Sequence, residues 1–198
     1  MSNNLILVDV DGVLLKWYPE FLNFLKSKNL IPQDSNIVAS TYDMASDLKL
    51  DKDAINELIT EFNNSSAMRY LSPMDNAVDA INKLKDKGFS FVAISSLSGK
   101  EHALYNRKYN ISEVFGKEVF DEVHCIEPGL SKEELLKKYS KDAILWIEDH
   151  PGNAELGHKL GIKTVLALHP HNTNVKTSKN IIRIDIDKLW TEIENIVN

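Results

Sequence analysis

Apolar and polar residues alternate along the chain in blocks that predict strands and helices in turn. Short apolar runs, typical of buried strands, lie at 5–10, 89–95, 121–126, 143–147, 163–168 and 181–184. Apolar residues at helical spacing or capping signals predict helices at 19–28, 51–63, 73–87, 100–109, 112–118, 131–139, 151–160 and 187–197. Strands that are apolar throughout and alternate with helices indicate a parallel sheet covered on both faces. We therefore predict an α/β fold with a doubly wound parallel sheet.

The first connection of this pattern is much longer than the others. Ser72-Pro73 provides an N-cap and a first-turn proline, so the helix that should follow the first strand is predicted to begin only there. A parallel crossover unit needs about 30 residues in all. The surplus carries two predicted helices and is interpreted as a small helical domain inserted after the first strand. The predicted domains are a core of residues 1–14 and 71–198 and a helical cap of residues 15–70.

Composition limits the classes of partner. The 198-residue chain is 43% hydrophobic and 26% charged, with a net charge of -6. It has no cluster of Lys and Arg, so a nucleic acid polymer is not an expected partner. No apolar run reaches the length of about 18 residues that a membrane span needs, and the first residues lack a basic signal-peptide region. With one cysteine there is no internal disulfide. We expect a soluble cytoplasmic protein without a membrane partner, and the sequence carries no indication of its oligomeric state.

Polar side chains gather where the predicted strands end. In a doubly wound sheet, the carboxyl ends of the strands form one edge, where ligands bind. The first strand leads into two acids, the second ends in two hydroxyl groups, a lysine follows the third, and the fourth ends in two more acids. These residues are Asp9, Asp11, Ser95, Ser96, Lys132, Glu148 and Asp149. We expect them to converge on one site.

A convergence of carboxylates needs compensation. Two like charges about 4 Å apart repel by about 4 kcal/mol at an effective dielectric constant near 20. Either the acids bind protons or a cation lies between them. A few carboxylate ligands suit Mg²⁺, which retains waters and shares a substrate phosphate. The hydroxyl of Ser95 and the amine of Lys132 then suit the phosphoryl oxygens.

The motifs Asp9-Val10-Asp11-Gly12-Val13, Ser95, Lys132 and Glu148-Asp149, in this order and at strand ends, resemble those of the haloacid dehalogenase-like hydrolase superfamily. The resemblance extends from residue 5 to about residue 168, and the insertion lies where that superfamily has its C1-type cap. One position departs from the pattern, because Asn153 stands where many members have a further acid.

The resemblance implies a phosphatase mechanism. Asp9 would attack phosphorus and form an aspartyl-phosphate, and Asp11 would act as the general acid and base. Asp9, the carbonyl of Asp11 and Asp149 would hold Mg²⁺. The other implied roles are phosphate binding by Ser95, Ser96 and Lys132, and contacts behind the metal ligands by Glu148 and Asn153.

The substrate is predicted less directly. Trp17 lies where the deoxyribonucleotidase branch of the superfamily carries an aromatic residue that stacks on the base, and such stacking contributes about 1–3 kcal/mol. The alternative is that Trp17 packs between cap and core. The predicted function is Mg²⁺-dependent hydrolysis of a small phosphomonoester, with a nucleoside monophosphate as the first choice. A sugar phosphatase or phosphomutase, or a non-catalytic binding protein on the same scaffold, remain as alternatives.

The histidines and the cysteine are expected to have lesser roles. His150 follows the second acid pair and is expected near the site, whereas His158, His169 and His171 are predicted to be solvated. Cys125 lies in a predicted strand and is interpreted as a buried structural thiol.

Overall fold

A computed structural model describes residues 4–197 and contains one sheet of six strands in the order β3-β2-β1-β4-β5-β6. Every neighbouring pair of strands is parallel. The strands are β1 (Leu5–Val8), β2 (Ser90–Ser96), β3 (Phe120–Ile126), β4 (Ala143–Glu148), β5 (Thr164–Leu168) and β6 (Ile182–Asp185). The predicted fold class is thereby confirmed.

Helices connect most of the strands. They are α1 (Trp17–Ser27), α2 (Met44–Leu48), α3 (Lys52–Asn63), α4 (Ala77–Asp86), α5 (Glu101–Phe115), α6 (Glu133–Tyr139), α7 (Pro151–Lys159) and α8 (Ile186–Val197). Helices α1 to α3 and a 3₁₀ turn, Ser66–Arg69, lie within residues 15–70, called the inserted segment below. Residues 1–3 and 198 of the predicted core lie outside the described residues, and the domain limits stay a prediction.

Apolar side chains on both faces of the sheet explain why the helices cover both. Alternate residues of a strand point to opposite faces. Ile6 and Val8 of β1 pack with apolar residues of α4, α5 and α8 in one core, whereas Leu7 packs in a second core with Leu136 of α6 and Trp146 of β4. No helix within residues 4–197 has both the length and the apolar character of a membrane span.

The helix predicted at 73–87 begins later than its capping signals indicate. Helix α4 starts at Ala77, and the segment before it pairs with the chain that leaves β1. The amide of Lys16 donates to the carbonyl of Ser72 at 2.8 Å, and Leu15 forms an antiparallel bridge with Pro73. The outgoing and returning chains thus satisfy each other's backbone groups, which competes with helix formation at Ser72.

The prediction of two short helices at 100–109 and 112–118 is wrong, because α5 is continuous from Glu101 to Phe115. Asn110 does not break the helix. Its side-chain amide donates 3.0 Å to the carbonyl of Leu71, so it is used in a tertiary contact. The helix ends at Gly116, which has a positive φ of 106°.

The order of the strands determines where a ligand can bind. The chain moves outward from β1 to β2 and β3, and then returns to the other side of β1 to form β4. A crevice forms at such a reversal, beyond the carboxyl ends of the two strands. Here those ends carry Asp9 and Asp11 after β1, and Glu148 and Asp149 at the end of β4.

Candidate active site

The turn that follows β1 directs Asp9 and Asp11 toward the crevice. The amide of Gly12 donates to the carbonyl of Leu15 at 2.9 Å, and the amide of Leu15 donates to the carbonyl of Val10 at 2.9 Å. Gly12 has a φ of 80°, and a Cβ at this position would collide with Oδ2 of Asp149. The backbone conformation therefore favours glycine, and any side chain here would also displace the carboxylate of Asp149.

Lys132 joins the ends of β1 and β4. Its Nζ lies 2.8 Å from Oδ1 of Asp9 and 2.8 Å from Oε2 of Glu148. The lysine side chain is 1% exposed and also lies over the ring of Trp146, with Nζ 5.3 Å from the ring centroid. The amide of Val10 donates to the same oxygen of Asp9 at 2.7 Å. Oδ1 of Asp9 is thus held in place by two donors.

Asp149 is held through its backbone. Glu148 Oε1 accepts hydrogen bonds from the amides of Asp149 at 3.2 Å and His150 at 2.9 Å. The carbonyl of Asp149 accepts hydrogen bonds from Asn172 Nδ2 at 2.7 Å and from the hydroxyl of Tyr42 at 3.1 Å. The loop after β5 and the inserted segment therefore both contact the residue that follows β4.

Asp11 has a partner that the sequence analysis missed. Nη2 of Arg107, in α5, donates to both carboxylate oxygens of Asp11, at 2.6 Å and 2.7 Å, and the Ser95 hydroxyl donates at 3.3 Å. Arg107 is fully buried, and its Nε and Nη1 have no hydrogen-bond partner within residues 4–197. A buried donor without a partner costs about 1–3 kcal/mol.

The pattern of polar residues on the inner face of α5 is the signal that could have revealed Arg107. Asn106, Arg107 and Asn110 are all buried, at the helical spacing of a face that normally carries apolar residues. All three make tertiary hydrogen bonds, Asn106 and Asn110 to the inserted segment and Leu71, and Arg107 to Asp11.

Burial and mutual repulsion shift the ionisation of the acids. Burial, followed by the charge of Glu148, raises the pKa of Asp9 to about 7. Burial, followed by the charge of Asp9, raises the pKa of Asp149 to about 7, and burial also raises the pKa of Asp11 and of Glu148. Burial alone would lower the pKa of Lys132, but the adjoining carboxylates of Asp9 and Glu148 raise it above its ordinary value.

The charges of the site do not balance without a further cation. Four carboxylates, those of Asp9, Asp11, Glu148 and Asp149, face two cationic side chains, Lys132 and Arg107, which leaves two negative charges when all are ionised. Oxygens of Asp9, Glu148 and Asp149 lie within 4.8 Å of one another. This donor set and this charge fit a divalent metal ion with oxygen ligands.

The structure brings six of the predicted site residues together. Asp9, Asp11, Ser95, Lys132, Glu148 and Asp149 are called the strand-end cluster below. Ser96 lies at the end of β2 and is exposed, whereas Ser95 is fully buried. Asn153 lies in the first turns of α7, where its backbone carbonyl accepts a hydrogen bond from Trp146 Nε1 at 3.2 Å.

Trp17 packs among aromatic residues of the inserted segment. Its ring stacks on Phe21 with centroids 4.9 Å apart and meets the edge of Phe62 at 5.6 Å. Its Nε1 donates to Oδ1 of Asn63 at 2.8 Å, and Asn63 Nδ2 donates to the carbonyl of Leu97, just beyond β2, at 3.3 Å. These contacts of Trp17 lie within the inserted segment, Asn63 links them to Leu97 of the core, and base stacking by Trp17 stays a prediction.

His169 is not a solvated residue, so that prediction is wrong. Its Nε2 donates to the carbonyl of Gly12 at 2.8 Å and lies 3.9 Å from Oδ2 of Asp149, and the side chain is 17% exposed. His171 stacks on His169 at 5.2 Å and meets the ring of Tyr42 at 4.7 Å. Both histidines follow β5, so the rule about strand ends that located the acids applied to His169 as well.

Cys125 is half-buried at the end of β3, beside Ser95 in the register of the sheet. Burial raises the pKa of its thiol to about 11. This is typical of an unreactive thiol, in agreement with the structural interpretation.

Comparison with known proteins identifies the fold. No protein-family model matches the chain. A haloacid dehalogenase-like family hydrolase from Streptococcus pneumoniae has a TM-score of 0.64 at 13% identity, covering 98% of this chain and 100% of that one. A protein from Clostridium acetobutylicum described as a predicted phosphatase has a TM-score of 0.63 at 18% identity, with 97% and 98% covered. The chain has the haloacid dehalogenase-like fold.

Two further matches extend the comparison. YfnB from Bacillus subtilis, described as a putative haloacid dehalogenase hydrolase bound to magnesium, has a TM-score of 0.61 at 17% identity. The match covers 98% of this chain and 98% of YfnB. An uncharacterized 32.4 kDa protein of Enterobacteria phage T4, from the Gp30-rIII intergenic region, is 36% identical over 149 residues, and the match covers 73% of this chain. The chain spans about half (53%) of the length of that phage relative.

Proposed function

We propose that the chain is a Mg²⁺-dependent phosphatase that hydrolyses a small phosphomonoester through an aspartyl-phosphate on Asp9. The observation that carries the proposal is the strand-end cluster. It combines buried carboxylates at the crevice of the haloacid dehalogenase-like fold with a buried lysine, and even with the charge of Arg107 it lacks two positive charges. A binding protein would have no evident need for such a costly arrangement.

The first half of the reaction is the transfer of the phosphoryl group to Asp9. Val10 and Lys132 hold the carboxylate of Asp9 through Oδ1, and we assign one oxygen of this carboxylate to the attack on phosphorus and the other to the metal. The bond between phosphorus and the leaving oxygen breaks, and its electron pair stays on that oxygen. The protonated carboxyl of Asp11 donates a proton to the leaving oxygen, which departs as the alcohol.

The second half is the hydrolysis of the aspartyl-phosphate. Asp11, now a carboxylate, accepts a proton from a water whose oxygen attacks phosphorus. The bond between phosphorus and Asp9 breaks, which restores the carboxylate of Asp9 and releases inorganic phosphate. Lys132 and the hydroxyl of Ser95 are positioned near both acids, where they stabilise charge on the phosphoryl oxygens.

Asp9, Asp149 and the backbone carbonyl of Asp11 are the proposed ligands of Mg²⁺. When bound, the ion supplies the missing positive charge and neutralises the carboxylates and the phosphoryl oxygens. Glu148 is assigned a different role, because its two oxygens are occupied by Lys132 and by the amides of Asp149 and His150. It holds the lysine and the turn that carries Asp149.

The inserted segment is proposed to act as the cap that selects the substrate. Tyr42 reaches the carbonyl of Asp149 and packs on His150, with centroids 5.1 Å apart, so the segment contacts the rim of the site. A nucleoside monophosphate remains the first proposed substrate. Because Trp17 already stacks on Phe21 and meets the edge of Phe62, a base would have to use the part of the indole that these two rings leave accessible. A sugar phosphate requires no contact with Trp17 and is the second candidate, with phosphomutase activity as its variant.

The test is phosphate release from p-nitrophenyl phosphate, then from panels of nucleoside monophosphates and sugar phosphates, each with Mg²⁺ and with EDTA. We expect release that depends on Mg²⁺. No release from any substrate would contradict the phosphatase proposal. Better turnover of sugar phosphates than of every nucleotide would contradict only the choice of nucleoside monophosphates. If a sugar bisphosphate added as activator replaced phosphate release by isomerisation of the sugar phosphate, the protein would be a phosphomutase.

A further inference from the structure

The face of α5 that lies against the sheet carries charge where apolar side chains would be expected. Arg107 is among the largest fully buried side chains of the molecule, yet one of its nitrogens makes two short hydrogen bonds and the other two have no partner within residues 4–197. Burial of a guanidinium with two unsatisfied nitrogens is unfavourable, so stability alone does not account for a residue of this kind. Its contacts all lead to one group, the carboxyl of Asp11.

The geometry points to Arg107 as a positioning residue for Asp11, one that holds the carboxyl group in the orientation for proton transfer to the leaving oxygen. This inference deepens the proposed function and rests on it. The carboxyl lies between two environments: the side chain of Asp11 is 22% exposed, whereas that of Arg107 is fully buried behind it.

A single donor to both oxygens restrains the carboxyl group. Nη2 lies 2.6 Å from Oδ1 and 2.7 Å from Oδ2, and the hydroxyl of Ser95 reaches Oδ2 at 3.3 Å. Rotation of the carboxyl about its Cβ–Cγ bond would lengthen these contacts. Proton transfer requires donor and acceptor atoms about 2.6–3.2 Å apart, so an unrestrained carboxyl would spend less time in a productive position.

The helix that carries Arg107 is itself anchored on both sides of this residue. Asn106 Nδ2 donates to the carbonyl of Ser65 at 3.1 Å, and Asn106 Oδ1 accepts from Arg69 Nε at 2.7 Å. Asn110 donates to the carbonyl of Leu71 at 3.0 Å. Arg107 is therefore presented from a rigid element, as a positioning group requires.

The test compares two aryl phosphates whose leaving groups differ in their need for a proton. p-Nitrophenol leaves readily as its anion, whereas phenol requires protonation. The rate of the first burst of phenol release, measured with Mg²⁺ at one pH, reports the step in which Asp11 donates. We expect Arg107→Met to slow the burst from phenyl phosphate by about 100-fold and that from p-nitrophenyl phosphate by less than about 10-fold. Arg107→Lys should restore part of the difference.

Asn106→Ala is the matched control, because Asn106 is buried in α5 and contacts the inserted segment instead of Asp11, while Asn110 still anchors the helix to Leu71. We expect it to change both bursts by the same factor. In an Asp11→Asn background, Arg107→Met should change the ratio of the two bursts little further, since the residue acts through the group already removed. If Arg107→Met does not fold, Arg107→Lys serves the same comparison with a smaller shift.

The outcomes separate this inference from the proposed function. An active wild-type protein in which Arg107→Met slows both substrates equally, or neither, would overturn the positioning role and leave the phosphatase intact. A further large change of the ratio in the Asp11→Asn background would also overturn it. A wild-type protein that releases neither p-nitrophenol nor phenol in the presence of Mg²⁺ would overturn the proposed function and the inference together.

Discussion

The strand-end cluster and the inserted segment are built from different interactions. In the cluster, Lys132 is 1% exposed and Glu148 is fully buried. Ion pairs of 2.8 Å join Lys132 to Glu148 and to Asp9. In the inserted segment, aromatic rings such as Trp17 and Phe62 pack together, and exposed residues follow between α1 and α2. One region concentrates charge in a buried place, and the other is a small apolar core with a polar surface.

The inserted segment reaches the neighbourhood of the cluster through neutral hydrogen bonds to backbone carbonyls. Tyr42 donates to Asp149, and Asn63 donates to Leu97. Such bonds contribute about 1 kcal/mol each, much less than a buried ion pair loses when one partner is removed. We therefore expect substitutions in the cluster to abolish activity or stability, and substitutions in the inserted segment to change substrate preference.

The largest effect is expected for Asp9→Asn. The amide is a poor nucleophile, so turnover should fall by at least about 10³-fold. The fold should be retained, because asparagine has nearly the same size and can still accept hydrogen bonds from Val10 and Lys132. Phosphate release and circular dichroism measure the two properties. Full phosphatase activity in this variant would contradict the role of Asp9.

Lys132→Met should have the largest effect on stability. It leaves Asp9 and Glu148 buried without their cation, and removing one partner of a buried pair costs about 3–5 kcal/mol. The free energy of unfolding in urea measures this loss. Lys137→Met is the control, since Lys137 pairs with Glu133 on the exposed face of α6 and should be nearly neutral. An equal decrease in the free energy of unfolding in both variants would show that the ion pairs of the cluster contribute no more to stability than a surface pair.

The metal prediction concerns pH. Without metal, the pKa of Asp9 and of Asp149 is about 7 in the folded protein against an ordinary value of 3.8, so the folded chain binds more protons than the unfolded chain between these values. The free energy of unfolding should therefore decrease as pH rises from about 4 to 7. Mg²⁺ replaces the protons, so it should stabilise most above about pH 7, by about 2.7 kcal/mol at a hundred times its Kd.

Urea unfolding at several pH values, with EDTA and with Mg²⁺, measures this dependence, and NaCl at matched ionic strength is the control. Stabilisation that is equal with NaCl, or that does not increase with pH, would contradict a metal site formed by Asp9 and Asp149.

Trp17→Phe tests the inserted segment. The change removes the hydrogen bond to Asn63, so the free energy of unfolding should fall by about 1 kcal/mol, while the aromatic packing is largely kept. If Trp17 only packs, the KM for a nucleoside monophosphate and for a sugar phosphate should change by the same factor. A rise in KM that is confined to nucleotides would instead favour base stacking.

The smallest effect is expected for Tyr42→Phe. Asn172 still donates to the carbonyl of Asp149 in this variant, so the lost bond should raise KM by less than about 5-fold and leave kcat nearly unchanged. Steady-state kinetics measure both constants, with Tyr70→Phe, at an exposed position of the core boundary, as the control. A large decrease in kcat would mean that the hydrogen bond from Tyr42 to Asp149 is needed for catalysis.

The sequence predicted the strand-end residues because each follows a recognisable apolar strand. Parallel strands that end at one edge bring Asp9, Ser95, Lys132 and Asp149 together whatever the details of the helices are. The same rule applies to His169, but the many polar residues of its loop favour a solvated position, which the structure does not have. Capping signals were less reliable: Ser72-Pro73 pairs with the chain leaving β1 and does not start a helix.

Local patterns determined the elements, the fold class and the set of acids, since apolar periodicity and strand ends are properties of short stretches. The pairing of Arg107 with Asp11 was decided only by the tertiary structure, because these residues are 96 positions apart and a charged residue in a helix is normally solvated. The placement of Trp17 against Phe62 has the same origin. Which of two permitted neighbours a side chain contacts depends on how distant helices pack, and no short pattern encodes that.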